Sequence, residues 1–258
     1  MSFSSWPSKV KVTVGFRGLC HRLVGKAIHK WFHGDIPFQG HSFDLEVDGY
    51  VPYQQVASLF WGLYEKSERR LISEYLRPDV DIIELGSGEG VISCLMLRAQ
   101  APEKSLICVE ANPAAATTLL HNIRRNYLSR EFVRVVNGAI DYSGAEVVSL
   151  RIDENLIGSN VGQATSDAAR VRAITLSRVH EDFRLKNFAL VCDMEGAEAG
   201  LLENEPGVLK LCKQLIIDLH PTQFRGKTYL ISDLHKLIEN MGFNLRGRRR
   251  NVFAYERT

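Results

Sequence analysis

The sequence predicts an α/β fold on a mostly parallel sheet that ends in an antiparallel hairpin. Three observations carry this. Short apolar runs alternate with helical segments after Pro78, a glycine-rich turn follows the first run, and carboxylates stand at the ends of several runs. Parallel strands joined by helices cross over right-handed and keep their ligand at the carboxyl ends of the strands.

The elements are justified in chain order. From Met1 to Gly34 there are six Lys or Arg residues and no acid. Phe16, Leu19, Cys20, Leu23, Val24, Ala27, Ile28 and Trp31 recur at helical spacing, with Arg17, His21, Arg22, Lys26, His29 and Lys30 opposite. The expectation is a basic amphipathic helix packed by its apolar face, with its basic face in water. A helix lying on a membrane or facing an anionic substrate is the alternative, and an organellar transit peptide is a third reading. Residues 1–50 are therefore assigned to an N-terminal extension and 51–258 to a catalytic domain.

"HSFDLEVDGY" reads as extended, and "PYQQVASLFWGLYEKSERRLISEYLRP" as one or two helices ended by Pro78. "DIIELG", "SLICVEAN", "FVRVVNGAI", "FALVCD" and "QLIIDLH" are five strands. "VISCLMLRAQ" and "PAAATTLLHNIRRN" are helices, the second with Pro113 at a favoured first-turn position. Asp141 to Thr175 reads as a strand-rich insertion, "TYLISDLHKLIENMG" as a helix and "FNLRGRRRNVFAYE" as the terminal hairpin.

The 258 residues are 45% hydrophobic and 24% charged, ordinary for a globular chain. No apolar run approaches the roughly 18 residues that span a bilayer, and the start shows no secretory h-region. Five cysteines without CxxC spacing suggest reduced core thiols and a cytoplasmic setting, with peripheral contact at the inner membrane surface through 16–32.

"ELGSGEG" places glycines at Gly86, Gly88 and Gly90, where the backbone must turn tightly and admit a ligand. A nicotinamide fingerprint needs GxGxxG, and Val91 stands where its third glycine belongs. No GK[ST] follows, which excludes a P-loop. Glu110, at the end of the second strand, is placed to accept hydrogen bonds from both hydroxyls of an adenosine ribose. The alternative is a tight turn with an exposed acid. Glu84, inside the first strand, is costly unless a cation sits near it. Acid here suits S-adenosylmethionine, with its amino group and sulfonium, and opposes the pyrophosphate of NAD.

"GLYE", "DIIELGSGEG", "VEANP", "VNGAI", "VCDMEGAE" and "IIDLHP", in this order from Gly62 to Pro221, resemble the FkbM family of S-adenosylmethionine-dependent methyltransferases. The resemblance implies a Rossmann-like class I methyltransferase fold with a seven-stranded sheet, and O-methylation of a sugar, glycan or other small molecule. It also implies that Glu65 lies over the cofactor and that Gly86 and Gly88 frame its methionine part. Glu110 then meets the ribose, while Asn112, Asn137 and Ala139 border the adenine. Asp193, Glu195 and His220 face the methyl group and the acceptor. The chain departs from the family at Val191, where a basic residue is common, and at Leu176-Ser177, where Leu-Asp is common.

Methyl transfer removes positive charge from sulfur, so a carboxylate against the sulfur would favour the ground state. Asp193 is therefore expected to hold the cofactor's amino group or the acceptor hydroxyl. Glu195 is expected to orient a sugar hydroxyl or act as base, and His220 to be the general base near neutral pH. A hydrogen-bonded structural histidine is the alternative for His220, and a helix cap is the expectation for Glu198. A divalent metal on Asp193, Glu195, Asp218 and His220 is a disfavoured option.

A nicotinamide oxidoreductase, a non-catalytic nucleotide-binding protein of the same fold and a nucleic-acid methyltransferase are the rival functions. The last is prompted by the basic ends and weakened because "RGRRR" lacks interleaved aromatics. The basic ends also suggest an anionic or lipid-linked acceptor.

Overall fold

The computed structural model describes residues 21–152, 159–161 and 169–257. The chain forms two compact units, Met1–Lys66 and Ser67–Thr258. Residues 51–66, which the sequence reading attached to the catalytic domain, thus belong to the first unit.

In the first unit a helix α1 covers 21–31 of the described residues. It is followed by a hairpin of β1 (Ile36–Phe38) and β2 (His41–Phe43), and by α2 (Tyr53–Phe60). Ile36, Phe43, Leu45, Val56, Ala57 and Leu59 are fully buried and make its core. Of the stretch read as extended, His41–Phe43 is strand, and Val47 and Tyr50 form an isolated bridge. Helix α1 docks on α2 through Gly25, where a Cβ would stand 1.7 Å from the Tyr53 carbonyl oxygen. His29 meets the Tyr53 ring edge-on at 5.8 Å, and Phe32 lies 5.6 Å from Phe60. This is not the face the sequence predicts to be packed: Leu23, Val24 and Trp31 are exposed. Phe16, Arg17, Leu19 and Cys20 of the expected helix lie outside the described residues.

The second unit opens with α3 (Lys66–Tyr75), so the helical stretch before Pro78 is two helices. Its sheet contains β3 (Asp81–Leu85), β4 (Leu106–Glu110), β5 (Val133–Asn137), β10 (Phe188–Cys192), β11 (Cys212–Asp218), β14 (Phe243–Arg249) and β15 (Val252–Arg257). Their order is β14-β15-β11-β10-β3-β4-β5. All neighbouring pairs from β11 to β5 are parallel, and β15 inserts antiparallel between β11 and β14. The expected Rossmann-like methyltransferase fold, a mostly parallel seven-stranded sheet with a terminal hairpin, is therefore present. Every residue of β10 and β4 is buried, the reason both read as near-continuous apolar runs.

Helices α4 (Val91–Ala99) and α5 (Pro113–Asn126) connect β3, β4 and β5. The insertion after β5 is a four-stranded side sheet in the order β6-β9-β7-β8. Its strands are β6 (Ala139–Ile140), β7 (Val147–Ile152), β8 (Ser159–Val161) and β9 (Ala169–Ile174). Helix α6 (Leu176–Phe183) escapes the sequence reading; Thr175 caps it by accepting the Arg178 N–H at 3.1 Å. Beyond β10 come α7 (Glu198–Asn204) and α8 (Pro206–Leu209). A short hairpin of β12 (Thr222–Phe224) and β13 (Lys227–Tyr229) follows β11 and precedes α9 (Ile231–Asn240). Thr228 and Tyr229, read as helix, are strand residues. Asp233 sets the true helix start by accepting the Leu230 N–H at 3.0 Å.

Cys94, Cys108, Cys192 and Cys212 are free and buried, as expected of core thiols. Among the described residues no helix is long and apolar enough to cross a membrane. Most of the arginine cluster in the β14–β15 hairpin is spent locally. Arg246 pairs with Glu256 at 3.1 Å, Arg249 with Glu74 at 2.6 Å, and Arg248 lies 4.8 Å over Phe253.

Leu190 is fully buried at the centre of β10. Leu190→Ala should lower unfolding free energy by about 2–5 kcal/mol through lost burial and the cavity left behind. Urea denaturation of the two proteins reads this directly; an unchanged midpoint would mean that β10 does not anchor the core.

Candidate active site at the strand ends

Strand order reverses between β3 and β10, the position where parallel α/β sheets leave a crevice for a ligand. The glycine-rich turn begins there. Gly86 N–H donates to the Val109 carbonyl at 2.9 Å, and Asp193 N–H donates to the Leu85 carbonyl at 3.0 Å, so the two turns lie side by side. Gly86 has φ of +83°, and a Cβ on it would fall 1.8 Å from the Asp193 carbonyl oxygen. Only glycine fits. At Gly88, with φ of +50°, a Cβ would instead meet open space, which leaves that side of the turn free for a ligand.

Glu110 ends β4 and is 8% exposed. Its Oε2 accepts the Gly88 N–H at 2.8 Å and its Oε1 the Asn112 N–H at 2.8 Å. Burial pushes its carboxyl up, and these backbone donors oppose the shift. A carboxylate oxygen has two lone pairs, so each oxygen retains acceptor capacity for a hydroxyl.

Three residues expected beside the adenine have framework contacts. Asn112 caps α5, its Oδ1 accepting from Ala114 N–H at 3.0 Å and more weakly from Ala115 N–H. Asn137 donates from Nδ2 to the Glu110 and Ala111 carbonyls at 2.9 and 3.1 Å. Ala139 packs with Val148, Leu150 and Val171 in the core of the side sheet. Asn112 and Asn137 thus hold the turn and the sheet edge around Glu110.

Glu84 is 2% exposed, and Ser93 Oγ donates to its Oε2 at 2.5 Å, a partner that the sequence does not reveal. Burial pushes its carboxyl up to about 7, with Ser93, Cys108 and Ser87 opposing. Glu65 lies in the first unit, just before α3, with φ of +39°.

The second cluster forms where β10 and β11 end side by side, Cys192 opposite Ile217. Asp193 follows β10, Asp218 closes β11, and His220 comes two residues later. Glu198, wholly buried in the first turn of α7, accepts the Gly196 N–H at 3.2 Å. The same oxygen stands 3.4 Å from His220 Nδ1. Its expected helix-start position is present, with an imidazole partner that sequence spacing does not reveal. His220 Nε2 lies 3.9 Å from both Glu195 Oε2 and Asp218 Oδ1. Glu195 has φ of +51°, a left-handed conformation rare for a residue with a side chain. Thr222, unmarked in the sequence, donates its hydroxyl to the Gly196 carbonyl at 2.5 Å and ties β12 to this turn.

The hydrogen bond to Glu198 is the largest cause that pushes the His220 imidazole up to about 9, ahead of the charges of Glu198, Asp218 and Glu195; burial opposes it. This push favours the protonated form of the ring that the sequence reads as a general base. Burial, then Glu198 and Glu195, push the Asp218 carboxyl up, against the pull of His220. Asp193, Glu198 and His220 offer ligand atoms within 4.8 Å of one another, close enough for a divalent ion.

The two positions that depart from the resembled pattern lie in well-packed or hydrogen-bonded surroundings. Val191 is buried inside the sheet between Glu84 and Ile216. Ser177 donates its N–H at 3.0 Å and its hydroxyl to the carboxylate of Glu205, which is itself buried.

No family model matches the chain, and no curated protein matches it. Solved structures do match. A protein of the NADB-Rossmann superfamily from Streptococcus agalactiae is 12% identical, with 74% of this chain and 67% of that chain covered and a TM-score of 0.45. Magnesium protoporphyrin IX methyltransferase from Synechocystis PCC 6803, with bound S-adenosylmethionine, is 10% identical over 82% of this chain and 86% of that one, TM-score 0.46. Aeropyrum pernix fibrillarin, with natively bound S-adenosylmethionine, is 12% identical over 72% and 71%, TM-score 0.41.

By NMR, the His220 ring should titrate near 9 and Glu198→Gln should move that midpoint down by about one unit or more. Because the folded value is raised above 6.5, the stabilisation it brings is complete below 6.5 and fades as pH rises through about 9. His220→Gln should flatten that slope. A native midpoint near 6.5 would contradict the clustering of acids around the ring.

Proposed function

We propose that this chain is an S-adenosylmethionine-dependent methyltransferase of FkbM type that methylates a hydroxyl of a sugar, glycan or other small molecule. The observation that carries the reading is Glu110: a strand-end carboxylate, clamped by Gly88 and Asn112 N–H groups, with acceptor capacity left beside an open glycine turn. Ribose hydroxyls are donors that such a carboxylate selects, and a 2′-phosphate is one it repels.

The cofactor supplies an electrophilic methyl group. The chain's residues do the remainder. Gly88 leaves the space for the methionine part to approach the backbone. Asp193, at the end of β10, lies against the first turn and holds an amino group or the acceptor hydroxyl. His220, kept protonated by Glu198, is a donor that orients an acceptor oxygen. The proton lost by the acceptor hydroxyl passes to a carboxylate beside Nε2, Asp218 or Glu195. Asp218 suits this better because its raised pKa brings it nearer neutrality. Positioning of the two reactants accounts for most of the rate enhancement expected.

Nucleic acid is a weaker acceptor candidate, since three of the hairpin arginines are engaged within the chain. The test is calorimetric titration with S-adenosylmethionine, S-adenosylhomocysteine and NADH. The first two should bind and NADH should not. Glu110→Ala should weaken binding by about tenfold or more, since a hydrogen bond to a charged group contributes about 1.5–3 kcal/mol. Binding of NADH alone, or equal affinity in the variant, would overturn the proposal.

A further inference from the structure

The geometry points to α1 as an element that binds the surface of an anionic lipid bilayer. It docks on α2 through Gly25, with Ile28 and His29 half-buried on the same side. The opposite arc carries two stripes, each at four-residue spacing, which puts their members on one line along a helix. Arg22, Lys26 and Lys30 form one, all exposed. Leu23, Ala27 and Trp31 form the other, one residue further round, with Leu23 61% and Trp31 80% exposed. Val24, also exposed, widens the apolar stripe.

Were α1 only a surface helix, it would turn its apolar residues toward α2 and leave the charged ones outside. It instead leaves both outside, because Gly25 allows a close approach to the Tyr53 backbone. The outward arc therefore presents an indole and a leucine beside three cations, with no acid between Met1 and Gly34 to oppose a negative surface. Tryptophan suits the zone between headgroups and acyl chains, and lysines beside it reach headgroup phosphates. An anionic bilayer satisfies both stripes at once. A protein partner would need an acidic and an apolar strip in the same register. This inference is independent of the methyltransferase reading; joined to it, it makes the acceptor a lipid-linked molecule at the bilayer surface.

The test is co-sedimentation of the full chain with vesicles of phosphatidylglycerol in phosphatidylcholine, against vesicles of phosphatidylcholine alone, at low and high salt. The chain should pellet with the anionic vesicles at low salt. Lys26→Glu with Lys30→Glu should lower partitioning by about twentyfold or more. Leu23→Ser with Trp31→Ser should lower it further at high salt, where the apolar stripe acts alone. All four positions are exposed, so the fold should tolerate the changes, and circular dichroism checks this. Equal pelleting of native chain and both double variants would overturn the inference. So would a native oligomer, seen by sedimentation velocity, that Leu23→Ser with Trp31→Ser dissociates in a chain that ignores vesicles. In that case a second copy covers the stripe.

Discussion

The close approach of two backbone turns, at Gly86 and Asp193, is the constraint from which the site follows. The first turn leaves β3 and the second leaves β10, neighbours at the one place where the sheet reverses its order. A side chain at Gly86 would overlap the Asp193 carbonyl, so the pair packs only with glycine there. Once they pack, Gly88 is lifted to the carboxylate of Glu110, and Asp193 is brought to the end of β11 where Asp218 and His220 emerge. Two clusters of acid, one from each side of the reversal, then face the same end of the sheet.

Their electrostatics are managed in different ways. Glu84 is buried, which pushes its pKa up, and it accepts a hydroxyl hydrogen bond from Ser93. Glu110 remains an acceptor because backbone N–H groups support its charge. In the second cluster a single imidazole stands among several carboxylates, which push its pKa up.

Much of this was legible in advance. Short apolar runs alternating with helical segments marked the five parallel strands, and glycine spacing with the acid ending β4 marked the first cluster. What escaped shows where such reading stops. Helix α6 is only eight residues long, and its apolar face is just Leu176, Val179 and Phe183, too few to stand out beside the strand-rich insertion. Tyr229 was drawn into α9 because it continues the helical pattern, although Asp233 starts the helix later. The backbone hydrogen bonds of Asn112 and Asn137 also went unread, since their partners are set by the turn and the neighbouring strand.

By itself the sequence determined the element types, the parallel sheet, the terminal hairpin and the strand-end position of Asp193, Glu110 and His220. These are local properties, carried by side-chain period, by glycine and proline, and by polarity at the end of a run. The tertiary structure alone decided which acid meets the histidine, which hydroxyl meets Glu84, and which face of α1 turns outward. Each depends on residues distant in the chain: Glu198 and His220 meet across the β10–β11 ends, and Gly25 meets the backbone at Tyr53. Charge and packing act through space, and one-dimensional spacing does not specify which distant neighbour arrives.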